Sequence, residues 1–73
     1  METRRTLNSA FRITPAEAAT LDVLSERLDF KWAAETLGIT PKALGLRAQH
    51  IREKLCVDTT AQAVAAWKSR SAA

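Results

Sequence analysis

Four cations, Lys42, Arg47, Arg52 and Lys54, fall in one stretch with Gln49 and His50 between them. Lysine and arginine donate to phosphate oxygens, and a glutamine amide offers the donor and acceptor that match the edge of adenine. In the same stretch Leu46 could pack on a thymine methyl, and Gly45 would let a ligand approach the backbone closely. Thr40 and Ala43, at the front of this segment, complete the set of candidate contacts. Other chemistry has little support. His50 and Cys56 are the only soft metal ligands and their spacing makes no zinc pattern. Cys56 has no positioned base that would make it a nucleophile, and no glycine-rich phosphate loop occurs. Neither an enzyme nor a cofactor or metal site is expected.

The elements that must position these residues are helices. "TPKALGLRAQHIREKL" opens with Thr40 as N-cap and Pro41 at the first helical position, where a missing N–H costs nothing. Its apolar residues Leu44, Ala48, Ile51 and Leu55 form one narrow stripe. A 100° step per residue puts Lys42, Leu46, Gln49 and Glu53 almost opposite that stripe, with Gly45 and His50 on the flanks. Upstream, "ITPAEAATLDVLSERL" repeats the start signal: Thr14 and Glu17 can form a capping box, and Leu21, Leu24 and Leu28 are predicted to share a face. "DFKWAAETLG" reads as a shorter helix capped by Asp29 and stopped by Gly38. "TTAQAVAAWKSR" can start with Thr59 and Gln62 as a further capping box and carries Val64 and Trp67 three apart. About three residues separate the glycine stop from the Thr-Pro start, the connection of a helix-turn-helix, whose second member lies in the DNA major groove.

Length and charge agree with a small binding domain. The 73 residues favour one domain with a modest core, for which oligomerisation is a natural support, and a large substrate-enclosing cavity is not expected. The formal net charge is +3. It is uneven: residues 1–37 are slightly acidic, while residues 38–73 place Lys42, Arg47, Arg52, Lys54, Lys68 and Arg70 against only Glu53 and Asp58. One cysteine cannot make an internal disulfide, and no apolar run is long enough for a membrane span or secretory signal. The expectation is a cytoplasmic protein of bacterial type, nucleoid-associated when bound to DNA, with no membrane partner. Residues 1–12 are read as an N-terminal arm in which Phe11 caps the bundle and Arg4 and Arg5 form a solvated tail or reach a minor groove. The domain is read as residues 13–70, with 71–73 as a tail.

The run from Ile13 to Trp67 resembles the LuxR/GerE-type helix-turn-helix domain. The matching segments are "ITPAE" at the first helix start, "LGITPKAL" across the turn, "IREKLCV" at the end of the third helix and "TTAQAVA" in the last, in family order and without a gap. The resemblance implies an all-α, four-helix bundle whose third helix enters the major groove and whose fourth commonly pairs two subunits on a twofold site. Such domains usually follow a ligand-binding or phosphoacceptor domain; none precedes this one, so the expectation is a stand-alone transcriptional regulator. Departures from the family pattern fall at Gly45, where lysine is usual, at Leu46 and Gln49, at Cys56 in place of the helix-ending glycine, and at Trp32 and Ala33 in the second helix.

On this reading double-stranded DNA is the partner. Phosphates are held by Lys42, Arg47, Arg52 and Lys54, and bases are read by Leu46 and Gln49 with Arg47 and His50. A homodimer would use Val64 and Trp67, although Trp67 at such spacing equally suits the core. Trp32, if it faces solvent beside Phe30, would offer an apolar patch to RNA polymerase or another regulator. Two alternatives keep the fold: a protein-interaction module, such as an anti-activator or polymerase adaptor that does not read DNA, and a minimal sigma-like region acting only within polymerase.

Overall fold

In the computed structural model, residues 13–72 are described, with side chains to residue 69. The expected arm, with Arg4, Arg5 and Phe11, lies outside the described residues. Among the described residues the chain is all-helical: α1 Pro15–Glu26, α2 Phe30–Leu37, α3 Pro41–Leu55 and α4 Thr60–Ala72. The last helix runs past the expected domain end at residue 70. None of these helices is long and apolar enough to cross a membrane.

Each helix begins where a short polar side chain can satisfy an orphan backbone N–H. Thr14 and Glu17 form the reciprocal capping box: the Glu17 N–H donates to Thr14 Oγ1 at 3.1 Å and the Thr14 N–H to Glu17 Oε1 at 2.9 Å. Asp29 accepts from the Trp32 N–H, and Thr40 from the Ala43 N–H, each at 3.1 Å. Gln62 Oε1 accepts from the N–H groups of Asp58 and Thr59, while the Gln62 N–H donates to Thr59 Oγ1.

Two helices end alike. Gly38 adopts φ 70°, and the Ile39 N–H reaches back to the Ala34 carbonyl. Cys56 adopts φ 58°, and the Val57 N–H reaches back to the Arg52 carbonyl. Both are Schellman closures, in which a left-handed residue lets the next N–H satisfy a late carbonyl. Cys56 thus fills the glycine position without changing the turn. The first helix ends differently: Arg27 is extended, at φ −159°, so the helical period stops before Leu28. Leu28 is therefore 54% exposed and does not join Leu21 and Leu24 in the core as the spacing predicted.

The core is small and aliphatic. Leu21 and Leu24 of α1, Ala33 and Ala34 of α2, Leu44, Ala48 and Ile51 of α3, and Ala63 and Val64 of α4 are buried. The paired alanines of α2 leave little side chain between that helix and its neighbours, so backbones can approach. Helices α1 and α3 each pack against all three others, while α2 and α4 do not meet. That placement leaves one long side of α3 without a neighbour among the described residues.

Candidate nucleic-acid interface

The uncovered side of α3 is the one predicted from the 100° step. Lys42, Leu46, Gln49, His50 and Glu53 are exposed, and Leu44, Ala48 and Ile51 face inward. Leu46 keeps 51% of its surface, so a sizeable apolar group stands among polar ones. Gln49 Nε2 donates to Glu53 Oε2 at 3.4 Å, one turn later on the same side. A Cβ placed on Gly45 would meet nothing within 4 Å, and Gly45 has no left-handed φ that would demand glycine. Glycine in a helix interior costs about 1 kcal/mol relative to alanine. Packing within the chain gives no reason to accept that cost. At the front of the helix the Thr40 hydroxyl is engaged as N-cap, and Ala43 is half-buried.

Three of the four cations read as phosphate contacts have partners inside the molecule. Arg47 Nη1 donates to Thr20 Oγ1 of α1 at 3.1 Å, and Arg52 Nη1 donates to Thr60 Oγ1 of α4 at 2.9 Å. Lys54 Nζ lies 2.7 Å from Glu17 Oε1, whose side chain is largely buried. The cause is position: these residues sit between the buried stripe and the outer side, next to α1 and α4, where polar groups losing water need a partner. Burial alone would raise the Glu17 carboxyl pKa. The hydrogen bonds from Lys54 and the Thr14 backbone, with the Lys54 charge, outweigh it and hold the carboxyl below the ordinary range. Lys42 is left as the exposed cation of the set.

The residues read as a dimer or partner surface are also drawn inward. Val64, 8% exposed, belongs to the core of its own chain. Trp67 is half-buried, packs on that core and donates from Nε1 to Asp22 Oδ1 at 2.8 Å, joining α4 to α1. Phe30 and Trp32 are likewise half-buried against the core, and the Arg27 guanidinium stands 5.6 Å from the Trp32 ring centroid. The apolar patch expected of Trp32 beside Phe30 is thereby reduced, because both rings are partly covered by their own core; the large apolar side chains left exposed among the described residues are Leu28 and Leu46. Sequence reading missed the acceptors Thr20, Thr60, Glu17 and Asp22, which settle where the long side chains go. Only Glu17, through its capping box, left a signal.

Among the described residues no cluster of histidine, cysteine, aspartate and glutamate could hold a metal ion. The outer side of α3 thus offers one cation, one amide, one imidazole, one carboxylate and an aliphatic side chain beside a bare stretch of backbone. Comparison with protein-family models, with curated proteins and with solved structures gave no match.

Proposed function

We propose that this chain is a LuxR/GerE-type helix-turn-helix regulator that binds double-stranded DNA by laying the outer side of α3 in the major groove. The observation that carries the reading is the exposed outer side of α3, where Lys42, Leu46, Gln49 and His50 stand clear of the other described helices; Gly45, although a departure from the family pattern, lies beside it. The Gly45 helix is otherwise well capped and well packed, and the described residues leave the space beside Gly45 open. A close-approaching ligand accounts for a glycine that the fold does not need. The three-residue connection 38–40 between α2 and α3, closed by Gly38 and restarted by Thr40 and Pro41, supports the same reading. Lys42 would hold a phosphate, and Leu46, Gln49 and His50 would face bases. A homodimer, if formed through α4, would use its exposed residues Ala61, Ala65 and Ala66 rather than Val64.

A second reading has an observation of its own. On the outer side of α3 the charge of Lys42 is offset by Glu53, and Leu46 is an apolar group that another protein could cover. This is the protein-interaction module, an anti-activator or polymerase adaptor. Mobility shift of the purified chain on random-sequence duplex at low and moderate salt separates the two. Salt-sensitive retention supports DNA binding, and no retention at either salt favours the second reading. Gly45→Ala sharpens the test: the variant should gain about 0.5–1 kcal/mol of stability and yet bind duplex more weakly. A stabilised variant with undiminished binding would remove the reason for invoking close approach.

A further inference from the structure

The identities and partners of the α3 side chains bear on which bases the helix can read, an inference that rests on the proposed placement of α3 in the groove. We infer that the positions facing Leu46 and Gln49 are A·T pairs, with adenine opposite Gln49 and a thymine methyl opposite Leu46.

Guanine is ordinarily read by arginine or lysine donating to O6 and N7. The arginine beside Leu46 is Arg47, which is half-buried on the flank of α3 and gives one guanidinium N–H to Thr20 of α1; Arg52, also half-buried, gives one to Thr60 of α4. Lys42 precedes Leu46 by a full turn and has the reach to take a phosphate instead. Between Lys42 at the front and His50 and Glu53 behind, the centre of the outer side holds a hydrocarbon and an amide. Among base edges in the major groove, the thymine C5-methyl is the apolar feature that an exposed leucine can cover. Gln49 gives one amide hydrogen to Glu53, which leaves its carbonyl oxygen and its second hydrogen for a base. An acceptor and a donor at that spacing match adenine N6–H and N7. The missing Cβ at Gly45 lets the backbone come close enough for a leucine, shorter than arginine or lysine, to touch the groove floor.

The test uses the full chain and duplexes selected from a randomised pool. In the selected site each thymine is replaced in turn by uracil, which removes only the methyl, and each adenine by 7-deazaadenine, which removes only N7. Binding is measured for the parent, Leu46→Ala and Gln49→Ala; both side chains are exposed, so the core is untouched. At one thymine the parent should lose about three- to fivefold in affinity on uracil substitution, the worth of one buried methyl, and Leu46→Ala should lose nothing. At a neighbouring adenine the parent should lose about tenfold, and Gln49→Ala should be indifferent. Selected sites that require G·C at these positions, or a parent insensitive to both replacements, would overturn the inference while leaving DNA binding standing. A pool that yields no bound duplex overturns both.

Discussion

Cys56 shows what a single residue can cost and still be accommodated. It closes α3 in the left-handed region, at φ 58° and ψ 45°, where a Cβ crowds the following carbonyl at roughly 1–2 kcal/mol. The closure survives because the Val57 N–H satisfies the Arg52 carbonyl at 3.0 Å and Val57 packs on the core. Gly38 makes the same turn at φ 70° with no Cβ. Cys56→Gly should therefore raise stability by about 1 kcal/mol, less than the full steric relief because glycine also frees the unfolded chain. Urea denaturation reads this as a higher midpoint at unchanged slope. A midpoint that stays put or falls would mean that the thiol makes a contact of its own worth keeping. Leu28 carries the opposite lesson, since its spacing places it with Leu21 and Leu24 but the backbone leaves the helix at Arg27 first. Periodicity alone does not register the cap.

At the scale of the helices, polar ties supplement a core made of alanines and a few larger aliphatics. Arg47 joins α3 to α1, Arg52 joins α3 to α4, Lys54 joins α3 to α1, and Trp67 joins α4 to α1. The Lys54–Glu17 pair is the one that pH can switch. Glu17 has its folded pKa lowered, so its contribution is complete above the ordinary glutamate range and disappears as pH falls through the lowered value. Glu17→Gln keeps the capping geometry and removes the charge. It should cost about 1–2 kcal/mol near neutral pH, and the difference from the parent should shrink toward zero as both are taken below the lowered Glu17 value. A cost independent of pH would assign the loss to the cap rather than to the charge. These ties also mark the limit of what the sequence discloses. Thr14, Asp29, Gly38, Thr40, Gln62 and the stripe from Leu44 to Ile51 were legible because caps, stops and stripes are local. The partners of Lys54, Arg47 and Trp67 stand 37, 27 and 45 positions away, and no local rule pairs them. The same gap separates the expected dimer face from the structure: Val64 and Trp67 read correctly as one helical face, but nothing near them in the chain says that α1 already covers it.

For the whole molecule the question is how much of its positive charge a polyanion can reach. A basic second half of the chain suggests strong, salt-sensitive attraction, yet Lys54 is paired with the Glu17 carboxylate, while Arg47 and Arg52 each spend one guanidinium N–H on a threonine hydroxyl and keep their charge. The largest fully buried side chains are Leu21, Leu24, Leu44, Ile51 and Thr20, with no aromatic among them. In so lean an interior, pulling Lys54 away would leave the largely buried Glu17 without its counter-charge, a loss that a solvated phosphate contact does not repay. On the proposed reading, Lys54 should therefore remain where it is on binding DNA. Each phosphate neutralised adds about 0.9 to the slope of log affinity against log salt. Lys42→Gln should flatten that slope by about this amount. The double variant Glu17→Gln with Lys54→Gln, which removes the pair and leaves net charge unchanged, should keep the parent slope even if it is less stable. Should the double variant instead lose about 0.9, Lys54 exchanges Glu17 for a phosphate on binding, and the bound protein has α1 and α3 coupled differently from the free one.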